Sequence, residues 1–166
     1  MTVPAAARRG EIFPAFTLPG MDEPPVILEE YRGRTNLVLV FVGDELGGSP
    51  VTGLLEELVA RTHTLRAELA QVVVVATSRP AADLPNGQEA FPVVLDEDAR
   101  VHRRAGAIDA VGRPTPAVFV TDRFREIFGA YLPGHGPALP SAQEIIEWLV
   151  FINIQCPECG APEWPR

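Results

Sequence analysis

The chain closes with "QCPECGAPEWPR", a stretch that holds both of its cysteines, Cys156 and Cys159, with two residues between them. Two thiols at this spacing can close a disulfide and exchange it with a sulfur of another molecule. They can equally form half of a tetrahedral thiolate site. "CPECG" has the form of a zinc knuckle, in which Gly160 permits the positive φ that follows the second ligand. The surroundings bear on both chemistries. Cys156 follows the run "SAQEIIEWLVFINIQ", which reads as a helix, so it stands at a helix C-terminus, where the partial negative charge raises a thiol's pKa. Pro162 and Pro165 prevent a new helix from forming behind Cys159. A structural zinc ion needs four ligands and one chain supplies two thiolates, since His63, His102 and His135 are isolated in sequence and read as surface residues. A zinc site therefore calls for two knuckles face to face in a two-fold homodimer, with the ion shared between subunits. The redox reading requires no cofactor.

A chain of 166 residues, 46% hydrophobic, is long enough for one domain with a full core and too short for two comfortable ones. We expect a single domain over residues 1–155 and a C-terminal Cys-x-x-Cys tail over 156–166. The opening "MTVPAAARRGEIF" lacks the apolar run of a signal peptide, and two close cysteines cannot staple a small secreted fold, so the expected location is the cytoplasm. The longest apolar runs, "NLVLVFVG" and "QVVVVAT", fall far short of the roughly 18 residues that span a bilayer. A net charge of −8 opposes phosphate backbones and anionic membranes, which argues against both as partners.

The elements that must position these thiols are marked off by seventeen prolines. "PAFTL" and "PVILEEY" flank a turn-rich segment and read as an N-terminal hairpin. "TNLVLVFVG" and "QVVVVATS" are β-branched runs without polar alternation, as expected of strands covered on both faces. Between them Ser49 can cap, and Pro50 can open, a helix carrying Leu54, Leu55, Leu58 and Leu65 to an end near Ala70. "RPAADLPNGQEA" reads as a loop or ragged helix, and "FPVVLDED" as a short strand running into Asp98, which caps "ARVHRRAG". "PAVFVTD" and "REIFGAYL" form a further hairpin, and Ser141 and Glu144 give an S-x-x-E capping box for the last helix. Phe151, Ile152, Ile154 and Trp164 are apolar enough that we expect something to cover them. The order predicts an α/β fold: a thioredoxin-like sandwich whose central mixed sheet is flanked by helices, with the hairpin as an extension. "GGSPVTG" has no lysine and lacks P-loop spacing, and no G-x-S-x-G motif is present.

Several stretches go beyond pattern. Residues 10–42, "GEIFPAFTLPGMDEPPVILEEYRGRTNLVLVFV", resemble the opening of the AhpC/TSA (redoxin, peroxiredoxin-like) family, and "RPTPAVFVTDRFREIFGAY" resembles the proline-led strand and return hairpin of thioredoxin-fold redoxins. The resemblance implies a thiol-dependent oxidoreductase or antioxidant, acting on a thiol or disulfide protein or a small peroxide. It implies a pocket at the end of the first core strand, with Pro116 as the cis-proline beside it and Arg113 as a polarising arginine. The family's catalytic cysteine should open the following helix. Here that place falls to Thr52, or to Pro50 in an ungapped alignment. A threonine hydroxyl does not ionise at neutral pH without a base and lacks a thiolate's nucleophilicity. With Thr52, Arg113 and Pro116 marking the pocket, thiol chemistry is left to Cys156 and Cys159.

Overall fold

The computed structural model describes residues 7–44, 50–79, 91–132 and 139–155; Ser49, His135, the loop at 80–90 and the Cys156–Cys159 tail lie outside them. Its centre is β3 (Asn36–Gly43), an eight-residue strand buried throughout. The unbroken apolar run is explained by two cores. Val38, Val40 and Val42 face one cluster, while Leu37, Leu39 and Phe41 face another on the opposite side of the sheet. β4 (Ala70–Ala76) runs parallel to β3, and β5 (Val93–Leu95) parallel to β4. β6 (Ala117–Thr121) pairs antiparallel with the other side of β3, and β7 (Ile127–Tyr131) antiparallel with β6. The sheet is therefore mixed, in the order β5-β4-β3-β6-β7, and a separate antiparallel pair, β1 (Thr17–Leu18) and β2 (Val26–Ile27), forms the expected hairpin. Phe13 ties this N-terminal segment to the sheet, its ring 5.0 Å from Phe119 and 6.1 Å from Phe41.

The helix expected to run to Ala70 is two helices. α1 (Pro50–Ala60) stops at Arg61, and α2 (Thr62–Ala67) ends short of the strand. The Thr62 hydroxyl donates to Val59 O at 2.7 Å, diverting a carbonyl that the helix would otherwise use. Leu69 then takes φ 56°, and its carbonyl accepts from Asn36 N, so the chain is drawn into the sheet. The cap of α3 (Arg100–Ala105) also differs from expectation. Asp98 reaches only Arg100, whereas Asp96 accepts from Val101 N (3.2 Å) and His102 N (2.9 Å). The left-handed turn at Ala99, φ 54°, folds the helix start back over Asp96.

α4 (Ala142–Ile154) begins as its capping box requires, with Glu144 N donating to Ser141 Oγ at 3.1 Å. It buries Ile145, Ile146, Leu149 and Ile152 against the first core. Phe151 and Ile154, expected to be covered, are 41% and 73% exposed, because a helix on one sheet face buries one stripe and these two fall outside it. The C-terminal end of α4 is fastened by a polar clasp. Asn36 Nδ2 donates to Asn153 Oδ1 (2.8 Å) and to Glu68 O (3.1 Å), and Asn153 Nδ2 donates to Glu68 O and Oε2 (both 2.8 Å). Asn153→Ala should remove one of the two acceptors of the buried Asn36 amide and cost about 1–3 kcal/mol, seen as a lower urea midpoint at an unchanged m-value.

Candidate functional site

A parallel sheet places ligands beyond the C-terminal ends of its strands, and the end of β3 is built for close approach. Gly43 adopts φ 68°, and a Cβ there would lie 2.9 Å from both Pro114 O and Thr115 Cα. The strand end thus abuts the segment that leads into β6. The Thr77 hydroxyl reaches Gly43 O (3.2 Å) and Asp44 Oδ1 (3.0 Å). Thr115 donates its N–H to Ala107 O, while its own Oγ1 is buried without a hydrogen-bond partner among the described residues.

Of the residues predicted for this pocket, Thr52 is half-buried in the first turn of α1, and Pro116 is half-buried where β6 begins. The Thr115–Pro116 bond is trans, not the cis bond that the resemblance implied; the described chain has no cis peptide. A prolyl amide prefers trans unless its surroundings fix the other isomer. Arg113 is exposed, and no hydrogen bond joins it to Thr52 among the described residues. Its N–H instead binds Asp109 Oδ1 at 2.9 Å, and that bond leads the causes that hold the Asp109 carboxyl below its ordinary range. This end of the sheet offers hydroxyls, backbone groups and an exposed guanidinium. Its described residues include no thiol, so they can hydrogen-bond a ligand but cannot attack a peroxide.

Beneath the same strand end lies a buried pair that sequence reasoning missed. His102, read as a surface residue, is fully buried, its ring 4.9 Å from Phe41 and Nδ1 donating to Asp96 Oδ2 at 2.8 Å. Burial pushes the Asp96 carboxyl up, but the bonds from the His102 ring, His102 N and Val101 N together outweigh it and hold the carboxyl below its ordinary value. His102 Nε2 has no hydrogen-bond partner among the described residues. A histidine among arginines gives no sequence signal for such a role, because its burial depends on which face of a six-residue helix meets the sheet.

The clasp fixes the end of α4: Asn153 bonds Asn36, the first residue of β3, at the end of that strand opposite Gly43. No group of three or more histidine, cysteine, aspartate or glutamate side chains among the described residues could hold a metal ion. None of their helices is long and apolar enough to cross a membrane.

Solved structures share this architecture. AhpC of Mycobacterium tuberculosis superposes with a TM-score of 0.70 at 16% identity, over 93% of this chain and 99% of its own. The mitochondrial 2-Cys peroxiredoxin of Plasmodium falciparum gives 0.72 at 13% identity, over 88% and 94%. A Chlorobium tepidum protein described as thiol:disulfide interchange protein DsbE gives 0.63 at 20%, over 88% and 97%. At such identities the likeness concerns the fold. No curated protein matches the sequence at a significant level. The family profile for AhpC/TSA matches residues 9–128, from the N-terminal segment through β6 and into β7. Most of the chain falls within that match, and the sheet order agrees with it: the chain belongs to the AhpC/TSA family, on a thioredoxin-like fold.

Proposed function

We propose that this protein is a thiol–disulfide oxidoreductase that works through Cys156 and Cys159 on a partner molecule, its β3 pocket having no peroxidase role. The observation that carries this reading is residue identity: both of the chain's cysteines, Cys156 and Cys159, follow α4, and the first turn of α1, where the resemblance would place a nucleophile, carries Pro50 and Thr52 and no thiol. In the proposed step one thiolate of the pair attacks a sulfur of the partner's disulfide, giving a mixed disulfide and releasing a partner thiolate. The second thiolate then attacks the tail sulfur of the mixed disulfide and releases the other partner sulfur, so two electrons and two protons pass to the partner. An external thiol restores the dithiol. A small peroxide is the other oxidant a dithiol accepts. The cytoplasm, where such a pair is kept reduced, is the compartment that suits it.

A second reading has its own support. Cys156 follows the thirteen-residue helix α4 by two residues in sequence, and a helix C-terminus disfavours a nearby thiolate, whereas zinc would deprotonate both sulfurs outright. Two CPECG knuckles would then clasp a homodimer.

One set of assays separates the readings. Reduced protein should exchange with bis(2-hydroxyethyl) disulfide, and Cys156→Ser or Cys159→Ser should lower that rate at least a hundredfold, while Thr52→Val leaves it within twofold. One zinc per two chains, with thiols unreactive until a chelator is added, would establish the clasp and remove the enzyme.

A further inference from the structure

The outer strand β7 and the exposed side of α4 form an open surface cavity of about 340 Å³ lined by Tyr131, Glu144, Glu147, Trp148 and Phe151. Gly129 makes this possible, because a Cβ there would meet the Trp148 ring at 3.1 Å and lift it off the strand. The indole N–H donates to the Tyr131 hydroxyl at 2.9 Å, and that hydroxyl donates to Glu144 at 3.4 Å. Phe151 stands edge-on to Trp148, centroids 6.1 Å apart. The indole's polar edge is thus satisfied, and the rings offer π faces beside two exposed carboxylates that join no ion pair among the described residues.

Aromatic faces rimmed by carboxylates recognise cations. The molecule already uses the same ring in this way: Arg9, which is not part of the cavity lining, places its guanidinium 4.8 Å from the Trp148 centroid. One arginine against Glu144 and Glu147 leaves a net negative charge at the cavity. A guanidinium suits it better than an ammonium, since its plane stacks on the rings while its fork of N–H donors meets carboxylates. The cavity opens to solvent along α4, with Phe151 41% exposed. A free small cation would stay largely hydrated there, whereas a side chain delivered by a docked surface brings its own cover.

We propose that this cavity receives an arginine side chain of a partner protein. The site is independent of the tail chemistry and stands or falls separately from it. The full-length chain carrying Trp164→Phe retains Trp148 as its sole indole, whose N–H resonance can be followed by NMR. The probes are acetyl-Gly-Arg-Gly-amide and the same peptide with citrulline in place of arginine. The arginine peptide should give a saturable shift, at least fivefold weaker for citrulline. Glu144→Gln with Glu147→Gln should weaken the arginine response at least fivefold, with the thermal melt unchanged. Equal responses to the two peptides, or no response to either, overturn the proposal. So does a shift that grows with protein concentration alone, which would put a second copy in the cavity, or one that appears only after Arg166→Gln, which would put the chain's own tail there.

Discussion

Asp96→Ala is expected to destabilise the protein by about 3–5 kcal/mol, since each buried donor left without an acceptor costs about 1–3 kcal/mol. The carboxylate is fully buried and satisfies Val101 N, His102 N and His102 Nδ1 at once, so its loss leaves three donors without an acceptor under the sheet. Asp98→Ala, a change at an exposed side chain, should stay within about 0.5 kcal/mol. The pair of variants reports which aspartate holds α3. The effect should also depend on pH. The folded carboxyl lies below its ordinary value of 3.8, so its contribution is fully present above that value and is lost as the pH falls through the lower, folded one. Urea midpoints of the parent and of Asp96→Ala should therefore differ most near neutrality and draw together in the acid range below 3.8. A gap that stays constant into that acidic range would mean that packing, not the carboxylate's bonds, carries the cost.

Gly43→Ala should cost about 3 kcal/mol. A left-handed backbone charges a side-chain-bearing residue roughly 1–2 kcal/mol. Here the added methyl would in addition press against the backbone of Pro114 and Thr115 at 2.9 Å, which cannot swing away as a flexible side chain would. Gly112→Ala provides the comparison: its φ is 84°, also left-handed, but nothing lies within 4 Å of the added methyl, so only the conformational part should appear. The difference between the two variants in urea or thermal unfolding isolates the close approach of β3 to the loop before β6. If Gly43→Ala costs no more than Gly112→Ala, that approach is looser than the geometry describes.

These two sites lie at the same end of the sheet, Gly43 closing β3 and Asp96 following β5. Gly43 lies tight against the Pro114–Thr115 backbone and is bonded by Thr77, and the Asp96–His102 pair braces the α3 side of the sheet beside them. Under the proposed function, thiol chemistry depends on the partner that Cys156 and Cys159 meet.

The amino-acid sequence by itself determined the order and type of the elements and the family, because long buried strands leave unbroken β-branched runs and prolines mark where elements stop. It also determined the absence of a thiol at the pocket and the presence of a pair at the tail, since residue identity needs no coordinates. Tertiary structure decided the rest. That Asp96 rather than Asp98 caps α3 depends on a left-handed turn at Ala99, a conformation that no residue type announced. That His102 is buried depends on which side of a short helix meets Phe41. That the end of α4 meets the start of β3 depends on a bond between Asn36 and Asn153, residues 117 positions apart. Local signals fix what each segment forms, but which segments meet is set only when the two faces of the sheet are covered at once.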